Sequence, residues 1–99
     1  WLIGGRHQEL FAGIIPISAQ PPPEVVDMEW KIPLCVIHSR KDEFFPFVKV
    51  ESVVRELQHT GAQINWLPVD SGTHFHPAGF VPYVGAGYSW MREIWVDMN

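Results

Sequence analysis

Three apolar, β-rich stretches alternate along the chain with segments of helical periodicity. Leu10 to Ala19 (LFAGIIPISA) and Ile32 to Ser39 (IPLCVIHS) are nearly continuous apolar runs, which is typical of strands buried on both faces of a parallel sheet. The third stretch, Ala62 to Asp70 (AQINWLPVD), alternates more. Its Pro68 favours a position near a sheet edge, because proline cannot donate to the hydrogen-bond ladder.

A helix is predicted between the second and third stretches. Val50, Val53, Val54 and Leu57 recur at i, i+3, i+4 and i+7, which places them on one apolar stripe. Gly61 follows as a natural stop signal.

A second helix is predicted near the end of the chain. It begins at about Gly87 and carries an apolar stripe formed by Met91, Ile94, Trp95 and Met98. The first residues of the chain read as the end of a further helix.

Strands that alternate with helices predict βαβ crossovers, a parallel sheet and helices on its two faces. The expected fold class is therefore α/β, with three parallel strands and about three helices in three αβα layers. The segment AQPPPEVVDMEWK joins the first two strands. Its three consecutive prolines predict a stiff surface loop.

Composition narrows the class of protein. The 99 residues are 46% hydrophobic and have a formal net charge of −4, so they form one domain or part of one. No basic face is available for nucleic acid, and no run of about 18 apolar residues predicts a membrane span. The single cysteine, Cys35, can form no internal disulfide. It is expected to be a buried hydrophobe rather than a reactive nucleophile. The lack of disulfides is compatible with a reducing compartment but does not establish one, since many secreted enzymes also lack them.

Polar side chains follow the second and third predicted strands. Asp42 and Glu43 come after the second strand, and the loop SGTHFHPAG with His74 comes after the third. Parallel strands share one carboxyl edge, where ligands bind in open α/β sheets. A histidine that donates one ring nitrogen to a buried carboxylate is held in one tautomer and can act as a base on a hydroxyl. The sequence therefore predicts that Asp42 orients His74.

Each of these side chains also has a simpler interpretation. Asp42 could cap the helix that begins near Pro46, and Glu43 is expected to be a solvated or capping acid. His74 could be a structural loop histidine. His76 is the competing base, although the proline after it suggests a turn residue.

Two short motifs could instead indicate a metal or cofactor site. The HFH segment presents two imidazoles, to which Asp42 could add a third metal ligand, but no cysteine pair supports a metal site. Gly85 to Gly87 (GAG) is a weak match to a dinucleotide-binding loop. We therefore predict neither a metal nor a cofactor. His38, at a strand end, is expected to pack beneath the acidic loop.

Several segments together resemble the C-terminal half of an α/β-hydrolase. WLIGGRHQELFAG is similar to the segment that leads into the sixth strand of that family, with Gln8 where proline is common. IIPISA resembles the family's xxPISG with Ala19 for glycine, and HSRKDEFFP resembles its HGxxDxxxP turn with Ser39 for glycine. PVDSGTHFHPAGF resembles the eighth strand and the GxGH loop, and WMREIW resembles the last helix. The resemblance places Asp42 on the catalytic acid and His74 on the catalytic histidine.

The resemblance covers nearly the whole chain and points to the branch of carboxylesterases, dienelactone hydrolases and feruloyl-type esterases. The nucleophile of that family lies in G-x-S-x-G, which this chain lacks. By analogy it would lie a few residues before Trp1. Ser39 in the glycine position requires a negative φ or some backbone strain. The serines that lack the flanking glycines are Ser18, Ser39, Ser52, Ser71 and Ser89.

Residues 1–99 are therefore interpreted as a partial α/β-hydrolase domain, the acid–histidine half of a serine carboxylic-ester hydrolase. A small-molecule ester would be the substrate of the intact enzyme, and the 99 residues alone are expected to be inactive. The open edge of the first strand favours association with the missing half or with copies of the chain. Two alternatives remain open: a catalytically inert interaction module, and a free-standing small α/β binding domain.

Overall fold

The computed structural model describes residues 1–70, 72–74 and 76–97, and within them it contains two parallel strands and three α-helices. No helix in this part of the chain is long and apolar enough to cross a membrane. The strands are β1 (Leu34–Ser39) and β2 (Ile64–Val69), and the helices are α1 (Leu2–Arg6), α2 (Phe47–His59) and α3 (Val81–Asp97). Short 3₁₀ helices span Gln8–Leu10, Pro23–Asp27 and Pro77–Phe80.

Strand β1 is the centre of the sheet. It pairs in parallel with β2 from Leu34 opposite Ile64 to Ser39 opposite Val69. All six residues of β1 are buried, which confirms the prediction from its continuous apolar run. In β2 only the last residue is fully buried. Among the described residues β2 pairs with β1 alone, as its more alternating pattern predicted.

The predicted first strand, over Leu10 to Ala19, is wrong as a regular strand. The segment makes only two isolated parallel bridges to β1, at Ile14 and Ile17. Pro16 lies between them and has no N–H, so one hydrogen bond of the ladder is missing. Its carbonyl still accepts the N–H of Ile37 at 2.9 Å. The described sheet therefore has two strands, with this bridged segment beside them instead of a third.

Helices cover both faces of the sheet. Alternate side chains of β1 point to opposite faces, so Val36 packs with Val50 and Val54 of α2. Cys35, on the other face, lies in one cluster with Met91 of α3. The described residues thus form helical layers on either side of the sheet, as the βαβ pattern predicted.

Helix α2 follows its predicted stripe and stop signal. Thr60 follows its last residue, and the chain then turns in a Schellman motif, in which the N–H of Ala62 donates to the carbonyl of Leu57 at 3.1 Å and the N–H of Gly61 to that of Gln58 at 3.2 Å. Gly61 has a φ of 91°, in the left-handed region that glycine tolerates. The buried residues of the helix all belong to the predicted stripe: Val50, Val54 and Leu57.

Helix α3 begins at Val81, earlier than the predicted start at Gly87. Pro82 is tolerated there because it lies in the first turn, where its missing N–H would have no intrahelical partner. Gly87 lies inside the helix, and a Cβ added to it would come within 2.7 Å of the Cys35 sulfur. The weak dinucleotide-loop match therefore fails, since its glycines form a helix packed against β1.

The predicted stripe of α3 is only partly described. Met91 is buried, and Ile94 and Trp95 are partly buried, whereas Met98 lies outside the described residues. The indole N–H of Trp95 donates to the carbonyl of Ala12 at 2.9 Å. This bond ties the end of α3 to the segment that bridges to β1.

The proline-rich connection contains more structure than predicted. A 3₁₀ helix begins at Pro23, where proline is accepted because the first residues of a helix need no N–H partner. Val25 within it is fully buried, and its carbonyl accepts the indole N–H of Trp30 at 2.9 Å. The connection is thus anchored to the body of the protein and is not a simple surface loop.

Two glycine substitutions should have opposite effects on stability. Gly61→Ala places a side chain at a φ of 91°, with no atom within 4 Å to obstruct it, so only backbone strain acts. We expect it to lower the free energy of unfolding by about 1–2 kcal/mol. Gly85→Ala, in the exposed part of α3 and equally unobstructed, should raise it by about 0.5–1 kcal/mol. Urea denaturation monitored by circular dichroism measures both, and a stabilising Gly61→Ala would contradict the assigned turn.

Candidate active site

Asp42 is fixed in a tight turn directly after β1. Its side chain has no exposed surface. One carboxylate oxygen, Oδ1, accepts the backbone N–H of Phe44 at 2.8 Å and that of Phe45 at 2.6 Å. An aspartate that accepts from the backbone two and three residues ahead stabilises the turn and sets its own orientation. Helix α2 begins at Phe47, and its N-cap, Pro46, has no side-chain hydrogen bond, so Asp42 does not cap it.

The second carboxylate oxygen of Asp42 faces two imidazoles. Oδ2 lies 3.5 Å from Nδ1 of His74 and 3.5 Å from Nε2 of His38. The structure thus brings together the two side chains that the sequence placed at one sheet edge. The distance to His74 exceeds that of a strong hydrogen bond. The His74 side chain remains 23% exposed, so a reacting group can reach it.

Two phenylalanines hold the ring of His74. Phe44 stacks on it with centroids 5.1 Å apart and planes inclined by 20°. Phe45 meets it edge-on, at 5.2 Å and 86°. Both rings belong to the same turn as Asp42, so one short segment supplies the carboxylate and two walls around the imidazole. Such aromatic contacts restrict the rotation of the imidazole.

His38 supports the turn from below. It is fully buried, as expected from its place at the end of β1, and its Nε2 lies 2.9 Å from the carbonyl of Phe45. A carbonyl can only accept, so Nε2 carries the proton. Among the described residues its Nδ1 has no hydrogen-bond partner. His38 therefore acts through Nε2, as a donor that fixes the Phe45 backbone.

The other candidate side chains lie elsewhere. His76 is exposed, and its Nδ1 lies 3.3 Å from the hydroxyl of Thr73. Glu43 is also exposed. In the described part of the chain no group of three His, Cys, Asp or Glu side chains is arranged to hold a metal ion, and Phe75 of the HFH segment lies outside that part.

Ser39 belongs to the candidate site through hydrogen bonds that the sequence did not predict, since there it stood out only as the replacement of a glycine. Its buried hydroxyl donates to the carbonyl of Gly72 at 2.6 Å and accepts the N–H of Lys41 at 3.0 Å. Among the described non-glycine residues only Ser18 has a positive φ, so Ser39 carries no left-handed strain. The sequence signal for this role was a hydroxyl side chain at the end of a buried strand, because a buried hydroxyl requires a hydrogen-bond partner.

Cys35 takes no part in this site. It is fully buried, and burial raises the pKa of its thiol to about 11. The thiolate is the nucleophilic form, so at neutral pH the side chain behaves as a small hydrophobe.

The fold is shared with a solved esterase. A structure described as the crystal structure of a thermostable esterase superposes with a TM-score of 0.73 at 23% sequence identity. The match covers 94% of this chain and 27% of that one, so the chain spans about a quarter of the esterase's length. Neither a protein-family model nor a curated protein sequence matches the chain. The 99 residues therefore have an esterase-like α/β fold that places a His–Asp pair at the carboxyl ends of two adjacent strands.

Substitutions at Asp42 separate its role in the turn from its charge. Asp42→Ala removes the acceptor for two backbone N–H groups and should lower the free energy of unfolding by about 1–3 kcal/mol. Asp42→Asn keeps an oxygen in the same place and should cost less than half as much. Asp70→Ala, which breaks the exposed ion pair with Arg40, should change stability by less than about 0.5 kcal/mol. Equal losses for Asn and Ala in denaturant titrations would contradict the assigned turn.

The thiol of Cys35 should be inert in the folded chain. At pH 8, a pKa of about 11 leaves roughly one thiol in a thousand ionised, against about one in ten at the ordinary value of 9.0. Burial also blocks access. A chromogenic disulfide reagent should therefore modify the native protein negligibly within minutes and the guanidinium-unfolded protein completely. Rapid stoichiometric reaction of the native protein would show that β1 is less buried than described.

Proposed function

We propose that these residues are the acid–histidine part of a serine carboxylic-ester hydrolase. His74 is the general base, Asp42 is the acid that orients it, and the nucleophilic serine lies outside the 99 residues. The substrate is a small-molecule ester, and the products are a carboxylic acid and an alcohol. One observation carries this proposal: Nδ1 of His74 lies 3.5 Å from a carboxylate oxygen of Asp42 whose side chain is fully buried.

The geometry favours one tautomer of His74. The carboxylate of Asp42 is an acceptor, and its other oxygen is already engaged by the backbone of the turn. A proton on Nδ1 of His74 therefore gains an acceptor, which leaves Nε2 as the basic nitrogen. A base of this kind is what a serine hydroxyl needs, since the hydroxyl is a weak nucleophile at neutral pH.

The reaction then follows the usual order of acyl transfer. Nε2 of His74 accepts the serine proton as the serine oxygen attacks the ester carbonyl, and it returns that proton to the departing alcohol. Water repeats the sequence on the acyl-enzyme and releases the acid. Asp42 stabilises the imidazolium that forms in both steps without itself taking a proton. The oxyanion donors of such an enzyme, like its serine, lie outside this chain.

The esterase-like fold supports this function. The superposed esterase is about four times as long as the matched segment, which leaves room for a nucleophile elsewhere in a longer protein. No G-x-S-x-G occurs in the 99 residues, and the buried hydroxyl of Ser39 is committed to two backbone groups. The proposed enzyme would therefore take its serine from outside these residues.

An open surface supports association with that other part. Among the described residues, the backbone groups of Ile15 and Ile17 make no hydrogen bond on the side away from β1. Beside them lies an almost wholly apolar groove of about 470 Å³. Such an edge is a template for a further strand, so the missing part of the hydrolase would pair here, or copies of the chain would do so in its absence. The groove is lined by Ile17, Pro77, Ala78, Phe80, Val81 and Val84.

The test uses the longer protein that contains these residues, identified from its intact mass and the coding sequence upstream of Trp1. Hydrolysis of p-nitrophenyl acetate should fall roughly 10⁴-fold or more in His74→Ala and by a comparable factor in Asp42→Asn. His76→Ala is the matched control, because its imidazole is exposed and lies in the same loop, and it should keep most of the activity. The 99-residue chain alone should show no burst of acyl-enzyme formation.

Two results would overturn the proposal. A longer protein without G-x-S-x-G would favour an inert interaction module with the same fold. Full activity in His74→Ala, or loss of activity in His76→Ala alone, would remove His74 from the reaction. A fluorophosphonate probe that labels the serine of G-x-S-x-G would in turn identify the nucleophile directly.

A further inference from the structure

One buried hydroxyl connects the two loops of the candidate site. The Oγ of Ser39 donates to the carbonyl of Gly72, 33 positions along the chain, at 2.6 Å. The same oxygen accepts the N–H of Lys41 at 3.0 Å. Lys41 immediately precedes Asp42, and Gly72 lies two residues before His74. A single side chain thus touches both arms of the Asp–His pair.

Strand pairing and an exposed ion pair also link these loops near their start. Strand pairing ends where Ser39 lies opposite Val69, and the N–H of Arg40 donates to the Val69 carbonyl at 2.8 Å. The side chain of Arg40 also pairs with Asp70 at 3.0 Å, but these side chains are 48% and 80% exposed. Solvent screens an exposed pair of this kind, so it positions the loops weakly. Beyond Asp70, the rings of Phe44 and Phe45 pack on His74, and the buried hydroxyl of Ser39 bonds to the backbone of the histidine loop.

The histidine loop is sensitive to a change at this point. Gly72 has a φ of 81°, so the chain changes direction there in a conformation that few other residues adopt. A small rotation at this residue displaces His74, which lies two positions further on. The Nδ1 of His74 is already 3.5 Å from Asp42, where a slight increase would end the interaction.

We propose that Ser39 is a positioning residue that holds Nδ1 of His74 against the Asp42 carboxylate. Its hydroxyl sets the distance between the acid turn and the histidine loop, and so determines which nitrogen of His74 carries the proton. The catalytic meaning of this role rests on the proposed esterase function. The geometric role does not, because it requires only the residues described here.

The spectroscopic test reads the tautomer of His74 in the ¹⁵N-labelled 99-residue chain. In alkaline buffer, two-bond ¹H–¹⁵N spectra distinguish a proton on Nδ1 from one on Nε2. Asp42→Asn defines the signal of a histidine that has lost its carboxylate. Ser39→Ala should move the His74 signals at least half of the way to that position. Ser52→Ala, an exposed serine-to-alanine change on α2, is the matched control and should leave them unchanged.

A purely structural role of Ser39 gives a different result. A folded Ser39→Ala chain with the His74 signals of the unaltered protein would overturn the proposal, even if its stability were lower. If Ser39→Ala does not fold, Ser39→Cys provides the same test, because the thiol has a similar shape but is a weak donor. Restoration of the original His74 signals in Ser39→Thr, which keeps the hydroxyl, would support the hydroxyl as the cause.

A kinetic test applies to the longer protein if it proves to be an esterase. Ser39→Ala should lower kcat by about 10²-fold, the effect of misplacing a catalytic group by about 1 Å, while KM changes little. Failure of the esterase proposal would leave the spectroscopic result intact. A shift of the His74 tautomer in a protein without esterase activity would therefore separate the two proposals.

Discussion

The complete burial of β1 is the constraint on which the rest of the structure depends. Its six residues pack under α2 on one face and α3 on the other, with β2 and the bridged segment on its two sides. Each fully buried aliphatic side chain contributes about 1.5–3 kcal/mol, so packing holds this strand firmly in place. Asp42 lies in the turn that follows the carboxyl end of β1, so the buried strand also holds this turn in place. The ring of His74 packs against the same turn, on Phe44 and Phe45.

The hydrophobic pattern predicted correctly those strands and helices that the residues of one segment determine by themselves. Strand β1 and helix α2 were confirmed, and neither contains a proline that would interrupt its backbone hydrogen bonds. The first segment failed as a strand because one missing N–H, at Pro16, outweighed the β-rich composition around it. The start of α3 was predicted at about Gly87 but lies at Val81, because Pro82 needs no N–H partner in a first turn. Gly87 packs inside the helix against Cys35, and such packing cannot be predicted from a single segment.

In the candidate site, too, some contacts were predictable from the sequence and others were not. Sheet topology was enough to bring Asp42 near His74, since the ends of adjacent parallel strands must meet. The burial of His38 beneath the acid turn was predicted, but the hydrogen-bond partners of Ser39 and His38 were not, because side-chain geometry sets them. Ser39 is bonded to a carbonyl 33 positions away, and His38 to the carbonyl of Phe45 across a turn. The sequence suggested that Asp42 could cap a helix, and it did not predict that one of its carboxylate oxygens stabilises the turn in which Asp42 lies.

Both members of the His–Asp pair leave from a single βαβ unit, with β1 at its start, α2 between and β2 at its end. Only this one crossover has to form before the acid turn and the histidine loop become neighbours, and closing a connection of this length carries a modest entropy cost. The unit is thus a compact module whose inheritance or duplication as one piece would carry both side chains together. A chain lengthened at the far end of α2, next to Gly61, would preserve their spacing, because that end lies at the opposite edge of the sheet from the pair.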